Sequence, residues 1–272
     1  MSAKKEHHTP RKRWGQNFLT DLNMAKKIVQ AIQTPPPRFL WEIGPGKGVL
    51  TQFLIETGDP YMGIEIDPQL VQQLREQWGQ KPNVILVQED ILAFPWEAGF
   101  RKFPGHQVVV IGNIPYNITS PILFKLFEHS PDISEAILMV QKEVAERLIA
   151  SPGSKAYGIL GIMAGIHARV EYLFTVPSAR FYPRPKVDSA VVRLTFRTDV
   201  LATIQDLNMF KHIVRISFQQ RRKMLKNSLI PLLPEGVIGK LKIDWRRRPE
   251  TVSIPEWIAL SNEISQYIKE DR

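Results

Sequence analysis

The stretch Glu42-Ile43-Gly44-Pro45-Gly46-Lys47-Gly48 decides how this chain folds. It ends the apolar run Phe39–Ile43 and leads into a helical pattern over Val49–Glu56. A short buried strand, a glycine turn and a helix make the opening unit of a parallel α/β sheet. Glycines let the backbone turn tightly and let a ligand approach without Cβ interference. The loop is no P-loop, because no Gly-Lys-Ser/Thr closes it. It is no dinucleotide loop either, since Val49 stands where the third glycine of G-x-G-x-x-G would be. Its spacing suits a ligand whose middle is a ribose and an amino acid, with Gly44 and Gly46 as the contact points. A purely structural turn is the competing reading.

Outward from this loop, strands and helices alternate. Strands are predicted at Tyr61–Ile66, Val84–Val87, Val108–Ile111 and Ala136–Val140. Each is short and continuously apolar, as strands buried on both faces are. A helix is expected after Thr20 and Asp21, ending at Pro35-Pro36-Pro37. Asp67-Pro68 and Ser120-Pro121 each read as a cap followed by a helix-starting proline. This order predicts a doubly wound, mostly parallel sheet. His167–Val176 and Ser189–Arg197 then read as two strands forming an antiparallel pair at one edge. Beyond Thr198 the chain turns helical and basic. The expected division is a flexible basic arm over 1–13, a main domain over 14–198 and a small helical domain over 199–272.

Composition sets the outer bounds. A hydrophobic fraction of 43% over 272 residues supports a core without staples. The chain has no cysteine, which removes disulfides, thiolate catalysis and zinc–thiolate sites. Its longest nearly apolar run, Gly158–Ile166, is too short to span a bilayer. Met1–Arg13 lacks the apolar segment of a secretory signal, so a soluble cytoplasmic protein without a membrane partner is expected. The net charge of +9 suits a polyanionic partner, nucleic acid being the commonest.

Two acids extend the glycine loop into a site. Glu65 closes the next strand, where a carboxylate can accept from both hydroxyls of a ribose. Asp90 follows the strand after that and can accept from an adenine amino group. Either acid alone reads equally as a surface charge. Three successive strand ends with adenosine-compatible groups point to an adenosine-type cofactor, since such sheets bind ligands at their carboxyl ends. Glu42 has two readings: it orders the glycine loop, or it meets the cofactor's ammonium group.

The fourth strand ends in Gly112-Asn113-Ile114-Pro115-Tyr116-Asn117. An adenine amino nitrogen is a poor nucleophile because its lone pair is delocalised into the ring. Two acceptors on its N–H groups turn that lone pair toward an incoming methyl. The Asn113 side-chain carbonyl and the Ile114 main-chain carbonyl are the candidates, with Pro115 holding the turn. Tyr116 would stack on a flipped-out base. A sulfonium is a good leaving group, so no strong general base is needed, and no Ser/His/Asp or paired-acid arrangement is evident. A polar turn with a core tyrosine is the alternative.

These motifs, with Gly15-Gln16-Asn17-Phe18-Leu19 and Phe181-Tyr182-Pro183-Arg184-Pro185-Lys186-Val187-Asp188-Ser189, resemble the ribosomal RNA adenine dimethyltransferases. The bacterial small-subunit (16S) branch is the nearest in pattern, from about Arg13 to about Leu229. Val140–Ala145 and Phe218–Lys223 carry the resemblance too. It departs at Trp14, where the family often has a smaller or different apolar residue. The resemblance implies a class I methyltransferase fold and S-adenosylmethionine contacts at Asn17, Leu19, Gly44, Glu65, Asp90 and Asn113. It implies that Phe181 encloses the target base opposite Tyr116. It also implies N6,N6-dimethylation of two adjacent adenosines in the 3′-terminal hairpin of small-subunit rRNA, on an assembling subunit. A monomer is expected, though no residue pattern carries that expectation. Large-subunit resistance methyltransferases share the glycine loop and the Asn-x-Pro-Tyr turn. A non-catalytic assembly factor would be favoured by loss of Asn113 or Tyr116, and both are present. A nicotinamide-dependent oxidoreductase is disfavoured by the missing third glycine.

From Lys211 to Lys226 no acidic residue occurs. At helical period Lys211, Arg215, Arg222 and Lys226 fall within about 60° of one another. They are expected to form a phosphate-contacting ridge with Arg221, Lys223, Arg246, Arg247 and Arg248.

Overall fold

The computed structural model describes residues 9–233 and 238–270. The chain divides into two compact units. One takes the residues up to Ala145 together with Glu171–Phe196; the other takes Glu146–Val170 and the residues from Arg197 on. The sequence predicts one boundary near Thr198, and the structure adds 146–170 to the second unit. Long-range bonds inside that unit give the reason. The Tyr157 hydroxyl donates to the Val252 carbonyl at 2.8 Å, and the Gly153 N–H donates to the Glu250 carbonyl.

The elements follow in chain order. They begin with β1 (Phe18–Leu19), α1 (Leu22–Gln30), β2 (Arg38–Ile43), α2 (Thr51–Glu56), β3 (Tyr61–Glu65), α3 (Pro68–Trp78) and β4 (Val84–Gln88). Next come α4 (Trp96–Phe100), β5 (Gln107–Asn113), α5 (Thr119–Glu128), β6 (Ile133–Gln141), α6 (Lys142–Leu148) and α7 (Ile159–His167). The chain continues with β7 (Ala168–Val176), β8 (Phe181–Tyr182), β9 (Ser189–Phe196), α8 (Leu207–Gln219), α9 (Leu225–Leu229) and α10 (Ile254–Glu270). No helix among the described residues is long and apolar enough to cross a membrane.

The first unit is built on a seven-stranded sheet in the order β4-β3-β2-β5-β6-β9-β7. The pairings of β4, β3, β2, β5 and β6 are parallel, and β9 runs antiparallel to β6. Residues of β2, β3 and β5 are buried almost throughout, which is why their sequences read as unbroken apolar runs. The chain steps outward from β2 to β4 and then returns to β5 on the other side of β2. The carboxyl ends of β2 and β5 therefore flank the switch point where open α/β sheets form their crevice.

Local chemistry sets the helix starts. Asp21 caps α1 by accepting from the Met24 N–H, and Asp67 caps α3 by accepting from the Gln69 N–H. Ser120 is not the cap predicted for it. A 3-10 turn over Tyr116–Ile118 runs straight into α5, which begins at Thr119. There the Thr119 hydroxyl and the Ile118 N–H both bond the Pro115 carbonyl. A two-stranded ribbon of β1 and β8 was not foreseen; it pairs Phe18 with Tyr182 and Leu19 with Phe181.

One buried acid fixes the join between α1 and β2. The Glu135 carboxylate, 2% exposed, accepts from the backbone N–H groups of Gln33 and Thr34 and from the Thr34 hydroxyl. Replacing it by alanine leaves the buried Thr34 N–H and hydroxyl, and the Gln33 N–H beside them, without this acceptor. Glu135→Ala is expected to lower unfolding free energy by about 3 kcal/mol in urea titration, and Glu135→Gln by less. A loss below about 1 kcal/mol for Glu135→Ala would show that the donors find other acceptors.

Candidate functional site

A cavity of about 380 Å³ opens in the first unit. Its lining brings together Asn17, Leu19, Gly44, Gly46, Glu65, Asp90, Asn113, Ile114, Pro115 and Tyr116. Its size lies within the range of small-molecule sites. All three glycines of the loop have positive φ, and Gly44 and Gly46 border the cavity. Gly44 has φ +64°, and a Cβ built there would meet no protein atom within 4 Å. The backbone at Gly44 therefore borders open space. Gly46 has φ +60°, and a Cβ there would come within 3.0 Å of the Phe18 ring.

Glu65 ties this loop to the next strand. One carboxylate oxygen accepts from the Gly46 N–H at 3.0 Å, and the other accepts from the Asp67 N–H at 2.9 Å. Burial pushes its pKa up, and the two backbone donors oppose that rise. Each oxygen keeps a further lone pair. Asp90, half-buried, spends one oxygen on the Leu92 N–H at 2.9 Å.

Glu42 lies at the base of the cavity, 1% exposed. One of its oxygens accepts from the Thr51 hydroxyl at 2.6 Å and from the Tyr61 hydroxyl at 2.7 Å. These partners tie the end of β2 to α2 and β3, and neither was signalled by the sequence. Burial pushes its pKa up to about 7, partly offset by the two hydroxyl donors. The Tyr61 hydroxyl is held well above its ordinary value by burial and by Glu42.

The turn after β5 has one decisive bond. The Asn113 amide Nδ2 donates to the Asn17 main-chain carbonyl at 2.8 Å. A carbonyl only accepts, so the NH₂ end of the amide must face it. The Asn113 side-chain oxygen is thereby left as an acceptor on the other side. The Ile114 N–H donates to the Met139 carbonyl at 3.0 Å, and no hydrogen bond among the described residues ends on the Ile114 carbonyl. The Tyr116 hydroxyl is tethered to the Ser189 hydroxyl at 2.7 Å, which fixes the ring, and burial raises its pKa.

Phe181 is not brought to this cavity. It is 5% exposed and packs in the core with Leu19, Ala25 and Ile28. Strand alternation is the reason: in β8 it faces inward and Tyr182 faces outward. The predicted flexible arm is also altered. Its residues 1–8 lie outside the described residues. Its end is anchored, because Arg11 donates to Gln69 at 3.0 Å and its backbone N–H donates to the Gln16 side chain at 2.7 Å. Gln16 in turn donates to Asp67 at 3.1 Å. Trp14 lines the cavity, with the Arg11 and Arg13 guanidinium groups 4.8 and 4.4 Å from its ring centroid.

The basic residues of the second unit separate into two groups. The segment Lys211–Lys226 is not one helix, since α8 ends at Gln219 and α9 begins at Leu225. Lys211 and Arg215 share α8, while Arg222 and Lys223 lie in the turn and Lys226 lies on α9. The Leu225 and Lys226 N–H groups donate to the Arg247 and Trp245 carbonyls. This pairing sets the exposed Arg222, Lys223 and Lys226 near the exposed Arg246 and Arg248. Arg221 and Arg247 are occupied otherwise. Arg221 donates to the Lys155 carbonyl at 2.8 Å and lies 3.9 Å from Glu250. Arg247 pairs with Glu256, whose pKa that guanidinium holds down at about 2.

Comparison with known proteins gives one family. The family described as "Ribosomal RNA adenine dimethylase" matches residues 7–266. The chain is 40% identical to "Ribosomal RNA small subunit methyltransferase A" of Pseudomonas aeruginosa, over 95% of this chain and 96% of that one. It is 42% identical to the protein of that name from Bacteroides fragilis, over 96% and 94%. A solved dimethyladenosine transferase from Plasmodium falciparum matches with TM-score 0.76 at 24% identity, over 93% of this chain and 98% of that one, and supports the fold. The 23S rRNA methyltransferase ErmE matches with TM-score 0.68 at 28% identity, over 92% and 100%.

Glu42 generates a pH prediction. Its folded pKa lies near 7, above the ordinary 4.5. The folded state holds a proton that the unfolded chain has released. This site's contribution to stability is thus full below about pH 4.5 and is lost as pH rises to about 7. Glu42→Gln keeps an acceptor for Thr51 and Tyr61 and removes the titration. Relative to wild type, the variant should gain on the order of 3 kcal/mol between pH 4.5 and pH 8. Urea titrations at both pH values measure that difference, and a constant difference would contradict it.

Proposed function

The chain belongs to the ribosomal RNA adenine dimethylase family, and from that premise we propose the reaction it performs. It transfers methyl groups from S-adenosylmethionine to N6 of two adjacent adenosines in the 3′-terminal hairpin of small-subunit rRNA, on the assembling subunit. The observation that carries this reading is the Asn113–Asn17 bond, which leaves the Asn113 oxygen as an acceptor beside the Ile114 carbonyl. The two relatives named above, at 40% and 42% identity, carry the small-subunit name, against 28% identity for the large-subunit enzyme.

The residues present fit the cofactor. Gly44 borders open space in which any side chain would stand, and the acids at the ends of β3 and β4 keep free lone pairs. Glu65 would accept from the ribose hydroxyls and Asp90 from the adenine amino group. Asn17, Leu19 and Gly46 would close the walls, and Glu42 would hold the loop from below. When bound, S-adenosylmethionine supplies an electrophilic methyl group with a neutral leaving group. The chain's own task is then orientation. The Asn113 side-chain oxygen and the Ile114 carbonyl accept the two N–H groups of the target adenine. This turns the nitrogen lone pair out of the ring plane. Tyr116, its hydroxyl held by Ser189, stacks on the flipped base. Proton loss follows methyl transfer, so no strong base is required.

Asn113→Ala is expected to cut turnover roughly 100-fold or more while S-adenosylmethionine binding persists at least in part, with Tyr116→Ala behaving alike. Steady-state rates and cofactor titration check this, and near-normal turnover in either variant would refute the assigned roles. RNA is held by Arg222, Lys223, Lys226, Arg246 and Arg248, with Lys211 and Arg215 flanking. Charge reversal at Arg222 and Lys226 should weaken rRNA binding and lower the slope of log K against log salt by about 0.7–0.9 per lost phosphate contact. Arg221→Gln and Arg247→Gln should lower the melting temperature and leave that slope intact. The opposite assignment of effects would reverse the two groups.

A further inference from the structure

The ribbon of β1 and β8 places an aromatic that the catalytic roles above do not use. Residues directly opposite in an antiparallel pair lie on the same face. Tyr182 is opposite Phe18, and Phe181 is opposite Leu19. Leu19 and Phe181 both point into the core. Phe18 and Leu19 both border the cavity, but it is the Phe18 ring that lies against Gly46 of the glycine loop. Tyr182 therefore shares the ribbon face of the Phe18 ring, the face turned toward the glycine loop.

It is 61% exposed, the most exposed of the large hydrophobic side chains described. No side-chain hydrogen bond of Tyr182 occurs among the described residues. Both ends of its stretch are fixed. The Thr20 N–H donates to the Arg180 carbonyl at 2.8 Å on one side. On the other, Asp188 accepts from the Ser178 N–H at 2.8 Å, and Ser189 holds Tyr116. An exposed ring on an anchored segment is thus presented beside the glycine loop, whose cavity the target-base turn also lines. Exposed Arg184 and Lys186 follow it in sequence and add positive charge.

We propose that Tyr182 is a stacking platform for an unpaired RNA base neighbouring the methylated adenosine. This rests on the functional reading above and adds to it a second aromatic contact, outside the cavity. Flipping one base from a strand breaks its stacking on the next, and an exposed ring can replace that lost partner. Such a contact is tolerant of sequence, because every base has a π-face. It would hold the adjacent adenosine at the cavity mouth while the first is modified.

The test uses small subunits carrying unmethylated rRNA, labelled cofactor and the full chain. Tyr182→Leu should raise KM for the particle roughly 5- to 100-fold and leave S-adenosylmethionine affinity unchanged. Tyr182→Phe and Tyr182→Trp should stay near wild type, since they keep the π-face. KM within twofold of wild type for Tyr182→Leu would overturn the proposal. An equal loss in Tyr182→Phe would also overturn it, by assigning the effect to the hydroxyl. So would a loss of cofactor affinity in Tyr182→Leu, which would make the residue structural. A wild-type chain that labels no rRNA would overturn the functional reading itself, and the proposal with it.

Discussion

The hydrogen bond from the Asn113 amide to the Asn17 carbonyl is the constraint on which the proposed chemistry depends. It joins residues 96 positions apart, at the end of β5 and just ahead of β1. Without it the amide is free to rotate, and either its NH₂ or its oxygen can face the cavity. With it, only the oxygen does. The segment that supplies Asn17 is itself held by Gln16 on Asp67, the residue that caps α3. The orientation of one acceptor thus rests on a chain of polar contacts running back to a helix cap. Glu65 does the equivalent for the glycine loop, holding Gly46 and Asp67 through one carboxylate.

Much of this was legible in the sequence because the signals were local. Buried parallel strands are apolar throughout, so β2 to β6 could be read as runs. Asp67-Pro68 announced α3 because cap and proline act on adjacent backbone. Gly44, Glu65, Asp90 and Asn113 could be proposed because each stands at or just after a strand end, and parallel strands end on one side of the sheet, whereas Asn17 and Leu19 came only from the family resemblance. What was missed depended on contacts distant in sequence. The β1–β8 ribbon pairs two-residue strands separated by more than 160 positions. Its register decides that Phe181 is core and Tyr182 is exposed, which no local pattern reveals. The Ser120 cap failed because the turn at Tyr116–Ile118 carries the helix start two residues earlier, from Pro121 to Thr119.

Charge has two distinct uses here. In the first unit Glu42 and Glu65 are buried at strand ends and, like the half-buried Asp90, are bonded to backbone N–H groups or hydroxyls, so their placement is fixed before any ligand arrives. In the second unit the identity of a residue as basic did not settle its task. Arg221 and Arg247 are spent on carbonyls and carboxylates of their own unit. Arg222, Lys223 and Lys226 are exposed and are the ones left to a polyanion. Helical period grouped Lys211, Arg215, Arg222 and Lys226, because it took Lys211–Lys226 for one helix, which ends in fact at Gln219.

The central claim is that this site double-methylates an exocyclic nitrogen on adjacent adenosines of small-subunit rRNA. Mass spectrometry of that rRNA, after incubation of unmethylated small subunits with the chain and isotope-labelled S-adenosylmethionine, tests it most directly. The account predicts two labelled methyl groups on each of two neighbouring adenosines in the 3′-terminal hairpin. Label confined to large-subunit rRNA, to another atom of the base, or absent altogether would contradict it.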